Sequence, residues 1–214
     1  MRNIPMFATQ YGVASLTLQD IPYRGDAYIK IQSSAEPEEL LKECIGFCTM
    51  AGAERIYAAG DSLLEAYPFH TAILRMSGTV SHLRTDVSIL PVTAGSLERW
   101  REIYNQKMEN VPNASYMSSF EAQKLLKEGN GYFVHSQGDL LGIGIASGDE
   151  IKAIASVKPG AGADVFAALC GALASEDVQL EVASTNVPAL RLYEKMGLIC
   201  TAEVSRWYRV YPKD

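Results

Sequence analysis

Residues 184–198 read STNVPALRLYEKMGL and follow directly on the run Leu180-Glu181-Val182, in which apolar and polar residues alternate. Such alternation is typical of a β-strand, and the stretch after it places apolar side chains at helical spacing. Those side chains are Ala189, Leu192 and Met196. Gly197 lies where a left-handed glycine commonly ends a helix. The stretch therefore predicts a strand, a short loop and a capped helix that stops at Gly197.

The same stretch resembles the C-terminal signature of the GCN5-related N-acetyltransferases, a strand followed by Asn-x-x-Ala-x-x-Leu-Tyr-Glu-x-x-Gly-Phe. The residues in register are Asn186, Ala189, Leu192, Tyr193, Glu194 and Gly197, and Leu198 replaces the usual Phe. Simple packing of an apolar helix face is the alternative, but it requires neither the Tyr nor the Asn. The resemblance extends backward, because the family's order of two helices, a three-strand meander, a pyrophosphate loop and a crossover agrees with residues 88–211.

Hydrophobic periodicity and turn residues predict these elements independently. The expected elements are helices at 96–108 and 118–127, strands at 132–135, 140–146 and 151–157, a helix at 164–173, a strand at 178–183, a helix at 187–196 and a final strand region through 211. The three central strands form an antiparallel meander. The strand, helix and strand that follow form a parallel crossover.

The first 80 residues repeat the later half of this order. Their expected elements are a strand at 27–31, a helix at 37–50, a strand at 55–59, a short helix at 62–67 and a strand at 71–76. The spacing from Lys30 to Tyr57 is 27 residues and that from Lys152 to Leu180 is 28, so the two segments look like one half-domain used twice. We expect an α/β fold, a mixed β-sheet flanked by helices with the acyl-CoA N-acyltransferase architecture. A non-catalytic β-α-β-α-β half-repeat at 1–80 would precede an acetyltransferase domain at 81–214.

The composition indicates an ordinary folded protein. Of 214 residues, 48% are hydrophobic and 21% are charged, and the formal net charge is −6. This balance gives no support for a nucleic-acid partner, which requires clustered Lys and Arg. Four cysteines are too few for a disulfide framework, the N-terminus lacks the apolar core of a secretory signal, and no apolar run approaches a membrane span. We therefore expect a cytoplasmic protein with no membrane partner and, from the His and Cys spacing, no metal.

The resemblance implies that an acetyl group moves from acetyl-CoA, the co-substrate, to a primary amine. A protonated amine must lose a proton before it attacks the thioester, so a carboxylate or a water chain leading to one is needed. Glu181 is the candidate base, because it precedes Tyr193 by twelve residues, the spacing of base and acid in relatives that acetylate ribosomal-protein N-termini. Tyr193 is the candidate donor of a proton or hydrogen bond to the departing thiolate. Glu181 as a plain strand residue is the alternative.

The resemblance also implies where coenzyme A binds. In the family, a Val-x-Pro at the end of the fourth strand leads into a Gly-rich loop whose N–H groups hold the diphosphate. Here Val157-Lys158-Pro159 leads into a shorter loop that lacks the family's Arg or Gln, and Asp164 at the next helix repels a phosphate. A backbone N–H near Ala155 to Val157 would polarise the thioester carbonyl. The implied donor-binding residues are Ala155, Val157, Gly160, Ala161, Gly162, Ala163, Asp164, Asn186 and Tyr193.

The N-terminal half-domain is expected not to bind coenzyme A. Its loop at 32–39 has no Gly and has three carboxylates in or next to the first helical turn. A catalytically inactive acyl-CoA sensor or interaction module is an alternative function, and so is a dinucleotide site at Gly160-x-Gly162, which lacks the third Gly of its motif. The acceptor site would be shaped by the helices around four aromatic residues and by the segment 109–117, and these residue types are equally normal in a core. The aromatic residues are Trp100, Tyr104, Tyr116 and Phe120.

Overall fold

A computed structural model describes residues 5–80 and 86–212, which form eleven strands and six α-helices. The strands are β1 (Met6–Thr9), β2 (Gly12–Thr17), β3 (Asp26–Ser34), β4 (Arg55–Ala59), β5 (Phe69–Thr79), β6 (Ser88–Pro91), β7 (Gly131–Ser136), β8 (Asp139–Ser147), β9 (Glu150–Ser156), β10 (Asp177–Ala183) and β11 (Ile199–Tyr211). The helices are α1 (Ile21–Arg24), α2 (Pro37–Met50), α3 (Leu97–Met108), α4 (Ser119–Glu128), α5 (Gly162–Cys170) and α6 (Val187–Lys195), and a 3-10 helix spans Ser62–Ala66.

The chain divides into two compact units. Unit 1 comprises Met1–Ala72 with Val204–Asp214, and unit 2 comprises Ile73–Glu203. The division therefore falls inside β5 and again inside β11, whereas the sequence places one boundary between residues 80 and 81. The difference arises because strand pairing reaches across the chain: the end of β11 pairs with β4, and the second half of β5 pairs with β10. Residues 81–85, at the expected boundary, lie outside the described part.

Unit 1 is a sheet with the strand order β1-β2-β3-β4-β11, in which β3 and β4 are parallel and the other pairs are antiparallel. Helix α2 connects β3 to β4 and packs its apolar face on them. That face comprises Leu40, Leu41, Cys44 and Cys48. Burial raises the pKa of the Cys44 thiol to about 12 and that of Cys48 to about 11, so both are neutral core thiols.

Unit 2 is a sheet with the strand order β5-β10-β9-β8-β7-β6, in which only β10 and β9 are parallel. Helices α5 and α6 pack on one face, in a core that contains Phe166, Leu169, Leu180 and Tyr193. Helices α3 and α4 contribute to a second core built around Trp100. The expected fold class, a mixed sheet flanked by helices, is confirmed.

The structure adds elements that the sequence patterns did not predict. Strands β1 and β2 form a hairpin whose register places Thr9 opposite Gly12, with Gln10 and Tyr11 between them. This pair lacks the Asn-Gly or Asp-Gly signal of a two-residue turn, so the hairpin was missed. Strand β6 ends on Pro91, which is tolerated because β6 lies at the sheet edge. Within residues 5–80 and 86–212, no helix combines the length and the apolar character needed to cross a membrane.

Candidate donor site

The parallel strands β9 and β10 separate toward their carboxyl ends. They pair only at Glu150 with Gln179 and at Ile151 with Leu180, although β9 continues to Ser156 and β10 to Ala183. The later residues of both strands therefore border an opening in the sheet. Ligands of open α/β sheets bind beyond the carboxyl ends of the strands. The opening, with the first turns of α5 and α6 beside it, is the candidate site.

A tight turn leads from β9 into α5. The Ala161 N–H donates to the Lys158 carbonyl over 3.2 Å, and Pro159 and Gly160 occupy the two central positions. Gly160 has a φ of 82°. This combination is typical of a type II turn, in which Pro is favoured at the second residue and a positive φ at the third favours glycine. The Gly-rich character of the loop is thus explained partly by turn geometry.

Helix α5 begins at Gly162, and no side chain among the described residues caps it. Its first turn therefore presents N–H groups that carry partial positive charge. A Cβ on Gly162 would lie 3.1 Å from Leu192 Cδ2 and 3.5 Å from Ser156 Oγ, so this glycine permits close packing of α5, α6 and the end of β9. Asp164 lies exposed in the same turn, where its carboxylate repels an anion.

The backbone donors at the end of β9 point in two directions. The Val157 N–H donates to the Leu141 carbonyl over 2.8 Å, and Ala155 pairs with Ile143 of β8. Because hydrogen-bonding groups alternate in direction along a strand, the N–H groups of Ala155 and Val157 both point toward β8. The N–H group of Ser156, between them, points toward the opening. Within the expected range from Ala155 to Val157, Ser156 is thus the residue whose N–H points toward the opening.

Tyr193 lies in the second turn of α6 and is only 8% exposed. Its ring packs against Phe166 of α5, with the ring centroids 5.8 Å apart. Burial raises the pKa of Tyr193 to about 12, so the phenol is protonated at neutral pH. Within the described part of the chain, no hydrogen-bond partner of its hydroxyl is observed. The hydroxyl is therefore available as a donor.

Glu181 lies on the other face of β10. Val178, Leu180 and Val182 belong to the core that contains Tyr193, and successive side chains of a strand point to opposite faces. Glu181 lies directly opposite Arg75 in the ladder with β5, and Arg75 Nη2 donates to Glu181 Oε1 over 2.9 Å. Both side chains are nearly half exposed, at 46% and 41%. The two candidate catalytic side chains therefore lie on opposite faces of the sheet.

Asn186 is the N-cap of α6. Its Oδ1 accepts a hydrogen bond from the Ala189 N–H over 3.4 Å. The side chain thus stabilises the first turn of the helix, which in turn sets the position of Tyr193. The family signature drew attention to Asn186 as a ligand of the loop or the pantetheine arm, and the capping contact gives it a structural role as well.

The aromatic residues expected around the acceptor have different environments. Trp100 is fully buried, and its indole N–H donates to the Tyr132 carbonyl over 3.0 Å. Tyr104 stacks on Trp100 with the ring centroids 5.4 Å apart, whereas Phe120 is 81% exposed. Trp100 is therefore a core residue, which is the alternative that its residue type equally allowed.

Contacts from α3 hold the end of the segment 109–117. Asn105 Oδ1 accepts from the Met117 N–H over 2.8 Å, and Asn105 Nδ2 donates to the Met117 carbonyl over 3.1 Å. Arg101 donates to the Tyr116 hydroxyl over 3.4 Å. No group of three or more His, Cys, Asp or Glu side chains in the described ranges is placed to hold a metal ion.

Solved structures share this architecture. A GCN5-related N-acetyltransferase from Anabaena variabilis matches with a TM-score of 0.59 at 11% identity, over 93% of this chain and 59% of its own. The chain has the fold of the GCN5-related N-acetyltransferases. A protein from Pyrococcus horikoshii, provisionally classed as an acetyltransferase, matches with a TM-score of 0.65 at 11% identity, over 95% of this chain and 70% of its own.

The same fold also occurs in a conserved protein of unknown function from Staphylococcus epidermidis. It matches with a TM-score of 0.63 at 11% identity, over 98% of this chain and 94% of its own. No family model and no curated protein matches the sequence. At these identities the likeness establishes the fold and leaves the roles of individual residues to the geometry of the site.

Proposed function

We propose that the protein is an N-acetyltransferase that transfers an acetyl group from acetyl-CoA to a primary amine. The observation that carries the proposal is the opening between β9 and β10, beside the uncapped start of α5, where Gly162 lies against Leu192 of α6. In this proposal residues 81–214 form the catalytic domain, and residues 1–80 form a half-domain of similar architecture without a donor site.

The donor would lie along the end of β9 with its thioester in the opening. The Ser156 N–H would donate to the thioester carbonyl, where negative charge develops as the amine attacks. The diphosphate would approach the first turn of α5, at Gly162, Ala163 and Asp164, where backbone N–H groups face a small-residue loop. Asp164 opposes this contact, so we expect modest affinity for coenzyme A.

Tyr193 would stabilise the departing thiolate by hydrogen bonding. A free thiol has a pKa of about 8.5, well below the value of about 12 for Tyr193. Complete proton transfer from the phenol to the thiolate is therefore uphill, whereas hydrogen-bond donation costs no ionisation. This favours Tyr193 as a hydrogen-bond donor over Tyr193 as a full acid.

The acceptor amine would approach from the face of β10 that carries Glu181. The ion pair with Arg75 holds the carboxylate in place, and one of its oxygens is engaged by the guanidinium. Proton removal would then run from the amine, through water, to the remaining carboxylate oxygen. In this arrangement donor and acceptor meet through the opening of the sheet, since Tyr193 and Glu181 lie on opposite faces.

The test combines calorimetric binding of coenzyme A with thiol release from acetyl-CoA in the presence of a panel of amines. The panel should include polyamines, aminoglycosides, amino acids and N-terminal peptides, because the acceptor class is open. The proposal expects coenzyme A binding, and thiol release that requires both enzyme and one class of amine. Binding without thiol release for any amine would contradict catalysis.

A second function is favoured by the departures of the loop. Asp164 in the first turn and the engaged carboxylate of Glu181 are both compatible with a catalytically inactive module that binds acyl-CoA or another protein. The two functions differ in one measurable respect. An inactive module binds coenzyme A, but it releases no thiol from acetyl-CoA above the uncatalysed rate.

A further inference from the structure

A cavity of about 620 Å³ lies beside the turn that leads into α5. Its walls come from the hairpin turn between β7 and β8, from the end of β9 and from the start of α5. The charged residues in the described lining are Asp86, Asp139, Asp164 and Lys158. Lys158 is thus the single cation of this lining, among three carboxylates.

Lys158 is already paired within the cavity. Its Nζ lies 2.8 Å from Asp139 Oδ2, and the hydrogen bond from Lys158 holds the pKa of Asp139 below its usual value. The two side chains are 54% and 66% exposed. Such exposed pairs contribute little net stability, so the pair can open at small cost. Asp139 belongs to the β7–β8 hairpin and lies outside the loop that the family signature covers.

We propose that the Asp139–Lys158 ion pair is an internal competitor of the donor, in which Lys158 is the cation that binds a donor phosphate and Asp139 occupies it in the free protein. The inference rests on the proposed donor site. Lys158 lines the same cavity as Gly160, Ala161 and Asp164, so it reaches the region where the diphosphate would approach α5. Donor binding then exchanges one anionic partner of Lys158 for another.

This exchange has two consequences. Affinity for phosphate-bearing donors is lowered by the ion pair that must first open, in addition to the repulsion from Asp164. A donor without phosphates gains nothing from Lys158 and loses nothing to Asp139. The pair therefore makes Lys158 a specificity-determining residue for coenzyme A thioesters over simple pantetheine thioesters.

The experiment is calorimetric titration of the full chain with coenzyme A, 3′-dephospho-coenzyme A and pantetheine. The titration compares the parent with Asp139→Asn, Lys158→Met and the double variant. We expect Asp139→Asn to bind coenzyme A about three- to tenfold more tightly and Lys158→Met to bind it about tenfold more weakly. The double variant should behave like Lys158→Met, and pantetheine binding should not change in any variant.

Two variants control for the change of charge alone. Lys152→Met removes a cation from β9, the strand that precedes Lys158, and Asp149→Asn removes a carboxylate from the turn between β8 and β9. Neither residue lines this cavity. Both should bind coenzyme A like the parent, and thermal melting verifies that each variant folds. If Lys158→Met binds coenzyme A like the parent, the inference about the ion pair is overturned, while the proposed function stands.

Failure of the proposed function has a different signature. If neither the parent nor Asp139→Asn binds coenzyme A, the donor site itself is absent and both proposals fall. If the parent does not bind but Asp139→Asn does, the ion pair blocks the site, which supports the inference directly.

Discussion

The two parallel crossovers of the chain, β3-α2-β4 in unit 1 and β9-α5-β10 in unit 2, differ in how far their strands pair. Strands β3 and β4 pair at five successive positions, from Asp26 with Arg55 to Lys30 with Ala59. Strands β9 and β10 pair at only two positions and then separate. The first crossover is thus a closed element and the second an open one, although their sequence spacings differ by only one residue, 27 against 28.

Two local features accompany the closed crossover. A Cβ on Gly60 would lie 2.3 Å from the Ile31 carbonyl oxygen, so the chain leaving β4 packs against the backbone of β3. Helix α2 also begins with Pro37 and has Glu38 and Glu39 in its first turn. The backbone contact keeps β3 and β4 together, and the carboxylates interact with the positive end of the α2 dipole. We infer that strand separation is the feature that distinguishes the candidate site, because in the described part of the chain neither α2 nor α5 has a side-chain cap at its start and both have an acidic residue in the first turn.

The largest expected effect concerns the Tyr193 hydroxyl of α6, the helix that follows the open crossover. Tyr193→Phe should lower turnover by roughly 10² to 10⁴, the range for a positioned proton or hydrogen-bond donor, with little change in coenzyme A affinity. Steady-state thiol release and calorimetric binding measure the two quantities. Tyr208→Phe, at a buried tyrosine of unit 1, is the matched control and should keep parental turnover. Parental turnover in Tyr193→Phe would remove this residue from the mechanism.

The cores of the two crossovers should be equally sensitive to truncation but differ in the effect on binding. Leu41 of α2 and Leu169 of α5 are both fully buried. Each Leu→Ala change should lower the free energy of unfolding by about 2–5 kcal/mol. Denaturant unfolding checks this, and coenzyme A titration well below the transition should show weaker binding only in Leu169→Ala. Equal weakening by Leu41→Ala would show that the closed crossover also supports the donor site.

The open crossover can be given the charge pattern of the closed one. Ala163→Glu places a carboxylate at the second position of α5, as Glu38 does in α2. We expect coenzyme A affinity to fall about tenfold, while the melting temperature changes little because acidic residues favour a helix N-terminus. The converse variant, Glu38→Gln with Glu39→Gln, should gain no coenzyme A binding in unit 1, because β3 and β4 remain paired. A gain there would mean that charge alone makes the site.

Removing the repulsive charge should have the opposite effect. Asp164→Asn leaves a polar side chain in the first turn of α5 but removes its negative charge. Coenzyme A should bind about three- to tenfold more tightly, which corresponds to about 1 kcal/mol for a partly exposed charge at a helix terminus. Calorimetry at two salt concentrations measures the change, and the gain should shrink at higher salt. A salt-independent gain would indicate a steric cause.

A further expected effect is the alkaline behaviour of Tyr193. Its folded-state pKa is raised from 10.0 to about 12, so it favours the folded state below pH 10 and loses this contribution as the pH rises toward 12. The parent should therefore lose more stability than Tyr193→Phe between pH 10 and 12, as measured by melting temperature. Burial also raises the pKa of Tyr57 in unit 1. This effect is the same in the parent and in Tyr193→Phe, so it cancels in the difference. If the melting temperatures of the parent and of Tyr193→Phe fall in parallel over this pH range, Tyr193 is solvated.

Much of the architecture could be predicted because it is encoded locally. Helix α2 and strand β4 have the predicted bounds, 37–50 and 55–59. The second helix of the N-terminal repeat is a 3-10 helix, Ser62–Ala66, a form that occurs mainly in such short pieces and connectors. The position of Asp164 in the first turn of α5 also followed from the sequence. Each of these features depends on neighbouring residues of the chain.

Other features could not be predicted, because they depend on residues far apart in sequence. Trp100 looked as suitable for an acceptor pocket as for a core, and only its contact with Tyr132 assigns it to the core. The pairing of Lys158 with Asp139 and that of Arg75 with Glu181 join residues 19 and 106 positions apart. No local periodicity carries that information.

The sequence predicts the helices and strands from β3 onward except β6, the signature from Asn186 to Gly197 and the acidity of both helix starts. These follow from spacing, turn chemistry and charge, which act over a few residues. The tertiary structure adds that β9 and β10 separate after two pairs, that the Ser156 N–H points toward the opening and that Tyr193 and Glu181 lie on opposite faces of the sheet. The reason is physical: strand divergence and side-chain facing are set by packing across the sheet, where the contacting residues are distant in the chain.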